Sequence, residues 1–163
     1  MKRLLVAALL TLAAGSGAQA EMVAGWDVNA KASAEGVCTA KYAYRDKDDN
    51  NAENVVTLQL GRTGEGPRSL TVSLSYDGWD WDKGETVEAD LLIDDDVFAH
   101  GAKWEAQTKY VLTSRFRSGD ELLGVMSRGE EIVLNFDGDE DDTASFKIPN
   151  AEQALAALQL CQR

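Results

Sequence analysis

Short runs in which apolar and polar residues alternate recur along most of the chain, and turn residues separate them. Alternation with a period of two is typical of strands that bury one face. The pattern predicts strands over 23–30, 37–45, 56–60, 70–76, 87–93 and 103–113, followed by a hairpin of 130–136 and 144–148. We therefore expect a mainly β fold, an antiparallel β-sandwich or barrel of about seven to nine strands.

Two segments change to a helical period. Residues 118–129 begin with Ser118 and the S-x-x-E spacing of a capping box. Asn150 begins a second segment, whose apolar residues recur on one helical face up to Cys161. The sequence therefore predicts a short internal helix and a C-terminal helix whose apolar face turns Cys161 toward the core.

The first twenty residues have the three regions of a secretory signal peptide. They are a basic start, an apolar run over residues 4–14 and an A-x-A cleavage site ending at Ala20. The apolar run is shorter than the roughly 18 to 20 residues that a bilayer crossing needs. We expect a bacterial Sec-type signal peptide over 1–20, cleaved after Ala20, and a single β-rich domain over 21–163. The mature protein would be periplasmic or secreted, with no transmembrane segment.

The charge balance restricts the classes of partner. The whole chain has a net charge of −12, and residues 21–163 keep 14 of the 16 basic and all 28 acidic residues, a net charge of −14. Such a chain repels the phosphate backbone of nucleic acids and anionic membrane surfaces. It favours cations or a basic protein partner, although solubility alone explains the charge equally well.

Cys38 and Cys161 are the two cysteines of the chain. In an oxidising compartment an even pair is typical of a disulfide. The bridge would close a loop of about 120 residues, and such a loop stabilises a fold by roughly 4 to 5 kcal/mol in the chain-entropy model. A redox pair or a metal site is the alternative, but no C-x-x-C motif exists and only one His is present.

The inventory of reactive side chains argues against an enzyme. His100 is the only histidine, it is predicted to lie in a polar loop, and a nucleophilic triad needs a positioned base. The sequence contains no G-x-S-x-G motif, P-loop or Rossmann fingerprint. We expect a non-enzymatic protein without a cofactor.

Two acidic runs match part of a calcium-binding loop. Each run has the first three alternating ligands but lacks the central Gly and the final bidentate Glu. Both runs are predicted hairpin turns, where Asp and Asn are common for turn geometry alone. We therefore expect no bound metal, and the partial calcium candidates are Asp46, Asp48 and Asn50 in the first run and Asp137, Asp139 and Asp141 in the second.

The segment YDGWDWDKGETV places two Trp residues among three Asp residues. Exposed Trp rings beside carboxylates can bind a sugar or a peptide. Alternatively, Trp79 and Trp81 lie on the same side of an extended segment and cover one end of the core. The turns on either side favour the second interpretation, and the direction of the rings stays open. The candidate binding residues are Trp79, Asp80, Trp81 and Asp82.

The order of these features resembles a known family. A W-x-V strand at Trp26 follows the signal peptide, and a strand with an early Cys38 comes next. An acidic L-x-I-D strand end, a short helix with paired leucines, a hairpin and an Ala/Leu helix carrying the last Cys complete the order. This arrangement is similar to the invasion-associated locus B family of small exported alphaproteobacterial proteins. The resemblance implies an envelope or invasion accessory protein without an established catalytic site.

Together these features lead us to expect an exported accessory or binding protein with an unidentified protein partner. The first alternative is an inhibitor of a hydrolase, presenting the loop GRTGEGP or the loop 94–102. The second is a calcium-dependent or small hydrolytic enzyme. The sequence does not predict the oligomeric state.

Overall fold

The computed structural model describes residues 20–33, 36–62, 66–136 and 142–161. The predicted signal peptide lies outside the described residues except for Ala20. The strands are β1 (Glu21–Val23), β2 (Trp26–Asn29), β3 (Val37–Asp46), β4 (Ala52–Arg62), β5 (Arg68–Tyr76), β6 (Thr86–Ile93), β7 (Asp96–Thr108), β8 (Val111–Phe116), β9 (Glu131–Phe136) and β10 (Thr143–Lys147). The helices are α1 (Gly119–Met126) and α2 (Ala151–Gln159).

All ten described strands belong to one open sheet in the order β1-β2-β3-β4-β5-β8-β7-β6-β9-β10. Every neighbouring pair is antiparallel. The mainly β class, the antiparallel pairing and the two helices are therefore confirmed. The sheet has more strands than the sequence pattern predicts, because two predicted elements are each divided by a turn.

Both divisions correct the sequence-based boundaries. The predicted strand 23–30 is broken by Ala24 and Gly25, whose φ values of 52° and 92° reverse the chain between β1 and β2. The predicted strand 103–113 contains a tight turn at Lys109 and Tyr110, which separates β7 from β8. Neither turn has the Asn-Gly or Asp-Gly signature that marks a two-residue hairpin turn.

The predicted loop 94–102 is also wrong, and so is the placement of His100 in it. Asp94 adopts a φ of 55°, and the chain reverses at once into β7, which begins at Asp96. His100 therefore lies on a strand, where its side chain is exposed and its Nδ1 atom lies 2.9 Å from Asp90 Oδ2.

The two helices occupy the predicted segments but lack the predicted caps. Neither the Ser118 nor the Asn150 side chain forms a capping hydrogen bond. The Ser118 carbonyl accepts the first helical hydrogen bond from Leu122, while Asn150 adopts a left-handed φ of 53°. The helices are held instead by their apolar faces, since α1 packs on β5 and α2 packs on β2 and β3.

The core lies on one face of the sheet and follows the alternation of the sequence. Alternate residues of β4 and β5 are fully buried, and the largest fully buried side chains are Trp26, Trp104 and Phe146. α2 adds the face made by Ala151, Ala154, Leu155 and Leu158. The predicted apolar face of the C-terminal helix is therefore confirmed.

The predicted pairing of the cysteines is present. Cys38 on β3 and Cys161 after α2 form a disulfide, with their Cα atoms 5.9 Å apart and 123 positions apart in sequence. Cys38 is fully buried, so the bridge fastens the end of α2 to the core face of β3.

Two hydrogen bonds join β10 and the segment that follows it to the core face of β2 and β3, which lie near the opposite edge of the sheet. Trp26 Nε1 donates to the Pro149 carbonyl at 3.0 Å, and the Lys147 N–H donates to the Tyr44 hydroxyl at 3.0 Å. The open edge of β10 therefore lies beside the ends of β3 and β4, and this approach forms the candidate site described below.

Neither described helix combines the length and the apolar character that a bilayer crossing requires.

Candidate functional site

The two Trp residues of the connection between β5 and β6 are half-buried. The Trp79 N–H donates to the Tyr76 carbonyl at 3.2 Å, and the Trp81 N–H donates to the Lys109 carbonyl at 3.0 Å. The Trp79 and Trp81 rings contact each other edge to face, with centroids 6.2 Å apart. Both rings pack against the hydrophobic core. Part of each ring therefore contacts the core, and part is exposed to solvent.

The Trp pair bridges the end of β5 to the β9–β10 hairpin. The Trp79 ring lies 5.6 Å from the Phe146 ring, and the Trp81 ring lies 6.0 Å from the Phe136 ring. Tyr76 completes this cluster with an edge-to-face contact to Trp79 at 5.9 Å. Such aromatic pairs add stabilisation beyond simple area burial, so the cluster stabilises the contact between the end of β5 and the β9–β10 hairpin.

A cleft of about 230 Å³ opens between this aromatic cluster and the edge of β10. Rings from four aromatic residues and the buried amide of Asn54 line it, together with three carboxylates from two turns and a strand end. The aromatic lining residues are Tyr76, Trp79, Phe136 and Phe146, and the acidic ones are Asp46, Asp49 and Asp142. We refer to this site as the acidic aromatic cleft.

Tyr76 and Asp49 are joined inside the cleft. The Tyr76 hydroxyl donates to Asp49 Oδ2 at 2.5 Å, and this bond raises the pKa of Tyr76 above its ordinary value of 10.0. The Tyr76 ring also passes close to the turn after β5, where a Cβ atom on Gly78 would lie 2.4 Å from the hydroxyl oxygen. Glycine at this position therefore lets the ring take its place at the cleft wall.

Acidic charge exceeds basic charge in the cleft lining. Asp46 Oδ2 lies 3.6 Å from Lys147 Nζ, and this pair balances one of the three lining carboxylates. Carboxylates beside aromatic faces suit a cation, because both the negative charge and the ring quadrupole attract it. The cleft is therefore chemically suited to an ammonium or guanidinium group.

Of the four candidate residues from the Trp segment, the structure places one in this cleft. Trp79 lines it, whereas Trp81 lies behind it on Phe136. Asp80 is 87% exposed at its side chain and lies 3.8 Å from Lys109 Nζ. The exposed Asp82 belongs to the turn before β6, where its N–H donates to Glu85 Oε2 at 3.0 Å.

The structure also places the first partial calcium run. Asp46 Oδ1 accepts the Asp48 N–H at 3.1 Å, and Asn50 adopts a left-handed φ of 47°, so the run forms a turn. Asp137, Asp139 and Asp141 lie outside the described residues. Within the described ranges, no three His, Cys, Asp or Glu side chains are grouped to hold a metal ion.

Sequence patterns missed most of the cleft. Asp49 lies in a charged turn with many similar residues, and Asp142 lies 93 positions further along the chain. Only the approach of β10 to β3 brings them together, and alternation along single strands carries no information about that approach. The lining residues that the sequence did single out were Trp79, as a candidate binding residue, and Asp46, as a partial calcium ligand.

Two larger depressions are less suited to a ligand. One of about 410 Å³ is lined by Ser69, Arg115 and Arg117, but the Arg115 guanidinium already donates to Ser69 Oγ at 2.8 Å. The other, of about 680 Å³, includes Asp94, whose Oδ1 atom accepts the backbone N–H groups at the start of β9. In each depression, at least one charged lining group is therefore already engaged within the fold.

No protein-family model, curated protein or solved structure matches this chain. The assignment of a function therefore depends on the geometry of the acidic aromatic cleft.

Proposed function

We propose that this chain is a non-enzymatic exported binding module that recognises a basic protein partner through the acidic aromatic cleft. The observation that carries the proposal is the convergence of three carboxylates with four aromatic rings beside an open strand edge. A lysine or arginine side chain of the partner would place its cation between Asp49 and Asp142 and against the Trp79 ring.

The expected location of the protein agrees with this role. A disulfide persists in a periplasm or outside the cell, so the Cys38–Cys161 bridge supports export of the chain. The resemblance to the invasion-associated locus B family also points to an exported accessory protein. Hydrolase inhibition and a calcium-dependent or hydrolytic activity stay as alternative predictions, and no contact in the described residues favours either one.

We also propose that the sheet folds over on itself as a sandwich-like arrangement. The hydrogen bonds from Trp26 to Pro149 and from Lys147 to Tyr44 support this arrangement. The first joins β2 to the segment after β10 and the second joins β10 to β3, and β10 is distant from both strands in the sheet order. In such an arrangement the acidic aromatic cleft lies at one open end, where a partner can reach it.

Calorimetric titration with a short lysine-containing peptide tests the proposed function. We expect binding that weakens with added salt, because exposed charges are screened over about 10 Å at 0.1 M ionic strength. The Asp49→Asn and Asp142→Asn variants should each weaken binding about tenfold, the effect of one charge-assisted contact. A glutamate-containing peptide of equal length should give no heat.

Asp80→Asn is the matched control, since it removes the same charge from an exposed carboxylate outside the cleft. This variant should keep nearly full affinity for the lysine peptide. An equal loss in Asp80→Asn and Asp142→Asn would show that binding depends on net charge alone, and that result would overturn the assignment of the cleft.

A further inference from the structure

The edge of β10 that faces the cleft offers unpaired backbone positions. The Ile148 N–H donates to the Glu130 carbonyl at 2.7 Å, so this N–H points toward β9. Because successive peptide groups of a strand point to opposite sides, the N–H and C=O groups of Thr143, Ser145 and Lys147 point away from β9. β10 is the last strand of the sheet, so none of the described strands lies on that side.

At the C-terminal end of this edge, the backbone N–H of Lys147 already has a hydrogen-bond partner. The Lys147 N–H donates to the Tyr44 hydroxyl at 3.0 Å, which confirms the outward direction of these peptide groups. The remaining part of the edge is Thr143 to Ser145, and both of these residues are exposed. This part carries neither a charged side chain nor a proline, the residues that commonly protect an edge strand from pairing.

The same part of β10 forms one wall of the acidic aromatic cleft. Thr143, Ala144 and Ser145 line the cleft opposite Tyr76 and Trp79. A strand added to this edge would lie about 4.8 Å from β10, and its side chains would point alternately to opposite faces of the sheet. One side chain of the added strand would therefore enter the cleft while its neighbours face away from it.

We propose that an extended basic peptide segment pairs with the Thr143–Ser145 edge of β10 and places one lysine or arginine side chain in the cleft. This inference rests on the proposed function and specifies how the partner binds. Backbone hydrogen bonds to the edge would supply affinity without regard to sequence. Asp49, Asp142 and the Trp79 ring would select the cation, since charge complementarity favours a basic occupant over a neutral one.

Three peptides separate edge pairing from recognition of the cation alone. The parent is an acetylated hexapeptide in which Lys alternates with Thr. The other two have the same sequence, with N-methyl groups on the Lys residues in one and on the Thr residues in the other. N-methylation removes the N–H of each methylated residue but keeps every side chain. Because only alternate N–H groups of the added strand face β10, we expect the parent peptide and one N-methylated form to bind. The form methylated on the residues that face β10 should bind at least about tenfold more weakly, the effect of losing one or more hydrogen bonds.

A variant of the protein tests the same contact from the other side. Ser145→Pro removes the outward N–H of this residue, which none of the strands in the described ranges uses, and an edge strand tolerates proline in that orientation. Ser145→Ala keeps the N–H and is the matched control. We expect loss of peptide binding in Ser145→Pro and nearly full binding in Ser145→Ala.

Hydrogen exchange on the unmodified protein gives a reading that does not depend on folding of the proline variant. Addition of the parent peptide should slow exchange at the Ser145 amide and leave the amide of Lys103, a β7 residue outside the cleft, unchanged. Equal affinity for the parent and both N-methylated peptides would overturn edge pairing while leaving the proposed function intact. Failure of all three peptides to bind would overturn the inference and the proposed function together. Self-association of the protein through β10, abolished by Ser145→Pro, would overturn the choice of a basic peptide as the occupant.

Discussion

The indole Nε1 of Trp26 donates a 3.0 Å hydrogen bond to the Pro149 carbonyl. Trp26 lies on β2 and is fully buried, whereas Pro149 lies two positions before the start of α2. A buried indole needs an acceptor, and here the acceptor is 123 positions away in sequence. This bond and the Cys38–Cys161 disulfide therefore hold the C-terminal helix on β2 and β3 by two independent connections.

We predict that Trp26→Phe lowers the free energy of unfolding by about 2 to 4 kcal/mol, because it leaves the Pro149 carbonyl without its donor and opens space in the core. Trp81→Phe is the matched control. The Trp81 Nε1 atom is buried without a hydrogen-bond partner among the described residues. Replacing the indole therefore removes the unfavourable free energy of a buried, unpaired N–H group. We expect a loss below about 1.5 kcal/mol for this variant. Urea unfolding followed by circular dichroism measures both, and a larger loss in Trp81→Phe would contradict the assignment.

We predict that reduction of the disulfide lowers the free energy of unfolding by up to about 4 to 5 kcal/mol, because the reduced unfolded chain regains loop entropy. Urea titrations with and without a reductant measure the change. The Cys38→Ala/Cys161→Ala double variant should show no response to the reductant. Denatured, unreduced protein should also contain no reactive thiol, and two reactive thiols would show that the bridge is absent in solution.

The strands that could be predicted are those in which burial of one face dictates the sequence. Val56 and Leu58 on β4, like Leu70 and Val72 on β5, alternate with polar residues because their neighbours face away from the core. α2 could be predicted for the same reason, with a period of 3.6 instead of 2. In these elements the residues that face the core recur at a fixed spacing, so burial produces a regular apolar pattern in the sequence.

The turns and the cleft could not be predicted in this way. Ala24 reverses the chain with a φ of 52° although alanine carries no turn signal, and Tyr110 is a strand-forming residue at a hairpin turn. Surrounding strand pairing imposes both conformations. The cleft depends in the same way on the approach of β10 to β3, so Asp49 and Asp142 become neighbours only in the folded sheet.

We predict opposite effects for two glycines of α1. A Cβ atom on Gly119 would lie 2.7 Å from the Leu70 backbone nitrogen and 2.8 Å from the Arg68 carbonyl oxygen. Gly119→Ala should therefore force α1 away from β5 and cost about 1 to 3 kcal/mol. A Cβ atom on Gly124 meets nothing within 4 Å, so Gly124→Ala should stabilise the helix by about 0.5 to 1 kcal/mol.

Thermal unfolding of the two variants checks this prediction, because both replace a glycine of α1 by alanine. Gly119→Ala alone brings the new Cβ atom within 3 Å of the β5 backbone. Equal midpoints for Gly119→Ala and Gly124→Ala would show that α1 does not lie against the β5 backbone as described.

The hydrogen bond between Tyr76 and Asp49 leads to a prediction about alkaline pH. The neutral Tyr76 hydroxyl donates to the carboxylate, and ionisation would break the bond and place two negative charges side by side. The pKa of Tyr76 is therefore raised above 10.0, first by this hydrogen bond and then by partial burial. A raised pKa means that the folded state holds the proton more tightly than the unfolded state. The stabilisation is complete below pH 10.0 and is lost as the pH rises through the raised pKa of Tyr76.

Carbon-13 NMR of the tyrosine Cζ atoms, recorded across alkaline pH, resolves Tyr76 from the other three tyrosines. In Asp49→Asn the midpoint of the Tyr76 titration should fall toward 10.0, because the amide accepts a weaker hydrogen bond and carries no charge. Asp80→Asn, which removes a carboxylate outside the cleft, should leave the midpoint unchanged. The same midpoint in Asp49→Asn and in the unmodified protein would mean that the bond at the wall of the cleft does not persist in solution.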